Sequence, residues 1–243
     1  VLVRWILEVA PIGVFALAVP LADRLGLAAA GAVAYYIAVA AIVLALFIAA
    51  LYPVASVFGR VSLRAFARAS APAQAVAFSS RSSLAALPAM IEGAETHLHR
   101  PPEITGFLLP LAASTFRVGS AIGIPVGALF LARLYGVPLD AGQLVTIGAT
   151  SAILTFSIPG IPGGSILIML PVLLAVGLPV EGIGILLGVD TVPDMFRTTA
   201  NVTGDMTVAS VIGRSSAPVA VVVPAAAAAP EPVAAGAAAP PAT

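Results

Sequence analysis

Asp190-Thr-Val-Pro-Asp194-Met-Phe-Arg197-Thr198-Thr-Ala-Asn201-Val-Thr-Gly-Asp205 places three carboxylates, an arginine and an amide in one of the most apolar parts of the chain. At 100° per residue, with Asp190 at zero, Asp194 falls at about 40°, Arg197 at about −20°, Asn201 at about 20° and Asp205 at about 60°. All five therefore share one face of a helix. A charge at the centre of a membrane helix costs roughly 2.5 to 3.5 kcal/mol, so four unpaired charges would oppose insertion by roughly 10 kcal/mol or more. This face must meet protein, water, ions or a polar ligand.

The rest of the chain makes a membrane setting the natural one. Hydrophobic residues are 60% and charged residues 9%, against about 25% charged in an ordinary soluble domain, and the mean hydropathy is +1.10. The formal net charge is +0, which leaves no field to recruit nucleic acid. Cysteine is absent, which excludes disulfides and thiolate metal sites. Glu8 interrupts the first apolar run, so a signal peptide fits poorly, and the chain reads as the C-terminal part of a longer membrane protein.

Residues 5–22 and 27–52 are each long enough to cross a bilayer, which predicts two transmembrane helices over 1–59. Arg60, Arg64 and Arg68 follow as a basic loop, placed in the cytoplasm by the positive-inside rule. From there the pattern is broken. Over 70–96, two short apolar arms flank Ser79-Ser-Arg81-Ser82-Ser83, and arms of this length read as re-entrant segments. A span over 104–132 is interrupted by Thr115-Phe-Arg117-Val-Gly-Ser120, and unwound backbone at membrane depth is tolerated only when buried in protein or lining a cavity. Over 142–179 a second hairpin is predicted, broken by Ser157-Ile158-Pro159-Gly160-Ile-Pro-Gly163-Gly-Ser165, because prolines lack an amide donor and glycines permit φ > 0. A last helix over 182–213 carries the polar face. The Ala/Pro-rich residues 217–243 predict a disordered tail.

The expected class is thus an all-α, polytopic membrane protein with a core over 60–216. Its order of hairpin, broken helix, hairpin, polar helix, with hairpins entering from opposite sides, is an inverted repeat, and such repeats place substrate and coupling ions near the midplane.

Ala10-Pro-Ile-Gly-Val-Phe-Ala16, Ala77-Phe-Ser-Ser-Arg-Ser-Ser83, Gly160-Ile-Pro-Gly163 and the stretch from Asp194 to Asp205 resemble the dicarboxylate/amino acid:cation symporter family, the glutamate transporters. The resemblance runs to about Ser216. It implies a multi-pass symporter of the cytoplasmic membrane for acidic amino acids or dicarboxylates, a homotrimer in the lipid bilayer, with Na+ or H+ as coupling ion and no other cofactor. By the same resemblance Asp194 receives a substrate ammonium, Arg197 a side-chain carboxylate, and Thr198 and Asn201 support the substrate. Ser82, Ser83, Ile158, Pro159, Gly160 and Gly163 cover it from either side. Arginine offers a planar fork to a carboxylate, which agrees with that role. Coupling falls to Asp190, Asn201, Asp205, Arg117 and Ser120, with Asn201 and Asp205 as candidate Na+ ligands.

The chain departs from the family at one place. Sodium-coupled relatives carry Asn-Met-Asp-Gly-Thr in the broken helix, where this sequence has Phe116-Arg117-Val118-Gly119-Ser120. Two oxygen-bearing ligands are replaced and an arginine is added. Arg117 is therefore expected to neutralise Asp190 or Asp205 as a tethered cation, which alters cation coupling.

Other readings compete. A buried ion-pair network would explain the charges of the last helix but not its motif. Arg81 either meets substrate charge or pairs with an acidic neighbour, and His97 and His99 read as solvated loop residues. An intramembrane aspartyl protease needs two carboxylates sharing a proton at close approach, whereas Asp190, Asp194 and Asp205 lie on one helix with Arg197 among them. A C4-dicarboxylate:proton symporter and a truncated, non-transporting homologue are the alternatives to an acidic amino acid symporter.

Overall fold

The computed structural model describes residues 2–158 and 163–213, with side chains from Ala30 onward except that of Leu167. Every regular element among them is helical. The expected tail over 217–243, and Pro159 and Gly160 of the second hairpin, lie outside the described residues.

Helix α1 runs from Leu2 to Gly59. The sequence predicts two spans here, and the structure joins them. At 1.5 Å per residue a helix of 58 residues is about 87 Å long, nearly three hydrocarbon thicknesses of about 30 Å. Asp23-Arg-Leu-Gly26 holds no proline that would force a stop. Ala30–Gly59 is by length and composition able to cross a membrane, as is Pro102–Tyr135.

Helices α2 (Leu63–Ser80) and α3 (Ser83–Thr96) pack on each other. Ser62 opens α2 by accepting from the Ala65 amide at 3.1 Å, and Ser82 opens α3 by accepting from the Ala85 amide at 3.3 Å. Such caps satisfy amides that have no partner inside the helix. Between them Arg81 takes φ 55° and turns the chain. Alanines 69, 73 and 77 with Phe66, and Ala86, Met90 and Ala94 from α3, close on Val202 and Met206 to form one core.

Helices α4 (Pro102–Thr115) and α5 (Val118–Tyr135) are separated at Phe116 and Arg117, where the backbone leaves the helical region. The break expected from the sequence is therefore present. Helix α6 (Ala141–Leu154) continues through a 3-10 turn at Thr155–Ser157. Asp140 and Gln143 form a capping box at its start. The chain resumes in α7 (Gly164–Leu167) and α8 (Met169–Ala175). Gln143 reaches across to donate to the Val176 carbonyl at 3.0 Å, which ties the start of α6 to the end of α8. A second core, including Ile124, Ala128, Leu131, Met169, Leu173 and Leu186, joins this pair to α5.

The last predicted helix is divided into α9 (Gly182–Val189) and α10 (Thr191–Ile212), which meet at Asp190. Pro193 lies in the first turn of α10, and its ring is incompatible with an uninterrupted helix four residues upstream. Helix α10 packs against α1, α2, α3, α4 and α5 and is buried over most of its length. Thr199, Thr203, Thr207 and Ser210 donate to carbonyls four residues back at 2.7 to 2.8 Å, so these buried hydroxyls are satisfied within the helix. Tyr52 of α1 donates to Gln74 of α2 at 3.1 Å, and Gln74 donates to Thr203 at 2.9 Å. By contrast Phe107, Val145 and Ile153 are about 70% exposed, as side chains turned to lipid would be.

Candidate substrate and ion site

Three breaks in helical geometry converge on α10. The gap between α4 and α5 brings the start of α5 onto the middle of α10. Gly119 packs so tightly that a β-carbon there would overlap the Arg197 carbonyl, and a β-carbon at Gly123 would lie 2.9 Å from Arg197 Cδ. Only glycine allows this approach. The non-helical backbone at Gly163, just before α7, meets Asp194. The gap at Asp190 turns that carboxylate back onto Arg197.

At the first end of the site, Arg197 is 1% exposed. Its Nη2 donates to both Asp190 oxygens at 2.7 and 2.8 Å and to Asp194 Oδ1 at 3.0 Å. The backbone N–H of Gly163 donates to Asp194 Oδ2 at 3.2 Å, and Gly163 does so at φ 76°. Arg81 stands in the turn between α2 and α3. Charge-assisted bonds of the length that Arg197 makes are the strong kind. Thr198 is buried beside them. Ser83 and Ile158 are also buried, while Ser82 serves as the cap of α3.

At the other end, Asp205 is 0% exposed and Arg117 is 2% exposed. Neither carboxylate oxygen of Asp205 and no guanidinium nitrogen of Arg117 has a hydrogen-bond partner among the described residues. Each is nonetheless the charge that acts on the other. Of the two carboxylates considered for Arg117, Asp190 is bound to Arg197, which leaves Asp205. Asn201 Oδ1 accepts from the Gly119 amide at 2.7 Å, so this oxygen is already engaged by backbone. Ser120 shares a hydrogen bond of 2.8 Å with Ser165 of α7. No group of three or more His, Cys, Asp or Glu able to hold a metal occurs among the described residues.

The sequence does not single out three polar residues of this region. Ser165 stands in the Pro-Gly break, Gln74 is an amide in an apolar arm, and Tyr36 reads as an interfacial or packing residue. Tyr36 is 2% exposed and its ring stacks on Phe130 with centroids 4.8 Å apart. A polar side chain in an apolar run is the available signal for Gln74 and Ser165. A groove of about 1010 Å³ between α1 and α5, lined by Val39, Val43, Val126, Leu129 and Phe130 among others, is mostly apolar. It offers an acidic ligand none of the paired charges found on α10.

Known proteins are similar to this sequence. A model of the sodium:dicarboxylate symporter family matches residues 1–215. The proton/sodium-glutamate symport protein of Bacillus subtilis (strain 168) is 29% identical over 212 residues, which cover 87% of this chain and 49% of that protein. The proton/glutamate-aspartate symporter of Escherichia coli (strain K12) is 36% identical over 139 residues, covering 57% of this chain and 32% of the relative. Excitatory amino acid transporter 2 of Homo sapiens is 38% identical over 129 residues, 53% of this chain and 22% of that one. The chain spans about half the length of the Bacillus relative and less of the other two. All three are transporters by name, not enzymes.

Proposed function

Because this chain belongs to the sodium:dicarboxylate symporter family, we propose that it forms the substrate-binding part of a secondary active symporter for acidic amino acids in the cell membrane. The observation that carries the reading is the buried cluster of Asp190, Asp194 and Arg197 on α10. An acidic amino acid brings an ammonium for Asp194 and a carboxylate for Arg197. A plain dicarboxylate brings nothing for Asp194. Glutamate and aspartate in the printed names of the relatives support the same substrate class.

The α2–α3 and α6–α8 pairs then act as re-entrant hairpins in an inverted repeat, with Ser82 and Ser83 on one side of the ligand and the segment from Ile158 to Gly163 on the other. The whole protein works as a homotrimer, as the family resemblance implies. Coupling is altered at Asp205. Buried carboxylates need compensation, and Arg117 supplies a fixed positive charge where a sodium ion would otherwise sit. Protons, or fewer sodium ions, then accompany the substrate.

Radiolabelled aspartate, glutamate and succinate uptake by the full-length protein in proteoliposomes tests the substrate class. Saturable uptake of the two amino acids, with succinate a poor competitor, is expected. Preference for succinate would replace this reading with a C4-dicarboxylate symporter.

A further inference from the structure

Two faces of α5 meet different surroundings. Through Gly119 and Gly123 one face presses on α10, while another opens onto the groove of about 1010 Å³ between α5 and α1. The direction of the helices along this groove follows from their packing on α10. Helix α1 runs with α10, since Gly59 packs on Ser210 and Tyr52 reaches Thr203 through Gln74. Helix α5 runs against it, since Val118 packs on Gly204 and Gly123 on Arg197. The two walls of the groove are therefore antiparallel.

Their register is set where Tyr36 of α1 stacks on Phe130 of α5. One way along the groove from that pair lie Val39, Val43 and Val126, and the other way lies Arg133, with the exposed Tyr35 at the rim. The groove is thus graded from apolar to cationic. Arg133 is in the last turn of α5, at the end of the stretch Pro102–Tyr135 that is able to cross a membrane. An arginine and a tyrosine at the end of a span sit at the level of the lipid headgroups. Arg133 is the one charged residue lining the groove, and its guanidinium has no ion pair among the described residues.

We propose that this groove binds an anionic phospholipid, with one acyl chain along Val39, Val43 and Val126 and the phosphate meeting Arg133 and the Tyr35 hydroxyl. The chain covers apolar surface, and the phosphate gives the guanidinium a charge-assisted partner. A choline headgroup would bring a second positive charge beside Arg133, so a lipid of net negative charge is the better match. The bound lipid supports α5 on a side away from Arg197. This site is separate from the polar cluster on α10 and does not depend on which substrate that cluster takes.

The test is lipid retention by the full-length, detergent-solubilised protein, read by native mass spectrometry. Dioleoylphosphatidylglycerol and dioleoylphosphatidylcholine serve as probes, because they share their chains and differ in net charge. The native protein should retain phosphatidylglycerol in preference. Arg133→Gln should weaken that retention about fivefold, the worth of one arginine near a charged membrane surface, and leave phosphatidylcholine unchanged. Val39→Trp, which fills the groove, should remove phosphatidylglycerol, whereas Leu111→Trp on α4, outside the groove, should not. Equal retention of the two lipids by the native protein, or phosphatidylglycerol retention that survives both Arg133→Gln and Val39→Trp, overturns the proposal. So does a native protein that retains neither lipid while Val39→Trp lowers its thermal stability, because another helix of the full-length protein then fills the groove.

Discussion

The two ends of α10 each bury an arginine and an aspartate, and they satisfy them in opposite ways. Arg197 holds Asp190 and Asp194 at 2.7 to 3.0 Å, so its charge is met by direct contact. Arg117 and Asp205 are as deeply buried, yet none of their polar side-chain atoms has a described partner. A directly paired cluster can be preorganised for recognition, because its donors are already aimed and dehydrated. A buried pair that acts only through space balances charge without fixing geometry, and its worth depends on what else enters the gap. On the proposed reading one end recognises and the other compensates.

The largest effect should come from breaking the paired end. Arg197→Ala leaves Asp190 and Asp194 facing each other, and breaking a buried pair costs about 3 to 5 kcal/mol. Uptake of acidic amino acids should fall by about 100-fold or more, since the carboxylate loses its charged donor. Uptake that persists in this variant would place the substrate elsewhere.

Arg117→Met probes the compensating end and should act differently. Asp205 then lacks an opposite charge, so the detergent-solubilised protein should lose about 3 kcal/mol of stability in sodium-free buffer. Sodium should restore part of that loss. Adding Asp205→Asn should also restore it, without sodium. Thermal unfolding of the single and double variants, with and without sodium, reads out both. Equal stability in all of them would mean that Arg117 and Asp205 do not sense each other.

A smaller loss is expected at the seam between the two ends. Gly119→Ala drives a β-carbon into the Arg197 carbonyl, and overpacking of this kind costs about 1 to 3 kcal/mol. It should lower thermal stability and weaken substrate and ion effects together, because Gly119 also donates to Asn201. A loss confined to one end would show that the seam does not couple them.

Much of this arrangement is legible in the sequence. Periodicity alone puts Asp190, Asp194, Arg197, Asn201 and Asp205 on one face, and the run from Thr115 to Ser120 announces the break between α4 and α5. The partners of each group are not legible there. Periodicity gives the face of a helix, not which carboxylate an arginine side chain reaches, so Asp190 reads as part of the ion end although the structure binds it to Arg197. Helix α1 itself shows the limit for element boundaries, since Asp23 to Gly26 is polar enough to read as a turn but carries no residue that prevents a helix.

Whether Arg117 stands in for a cation at Asp205 is tested most directly by the sodium dependence of aspartate uptake. The native protein is compared with a variant that restores Asn-Met-Asp, Phe116→Asn with Arg117→Met and Val118→Asp. The native protein should show the shallower dependence, with fewer sodium ions moved per substrate. An equal slope and stoichiometry in the two proteins would contradict it.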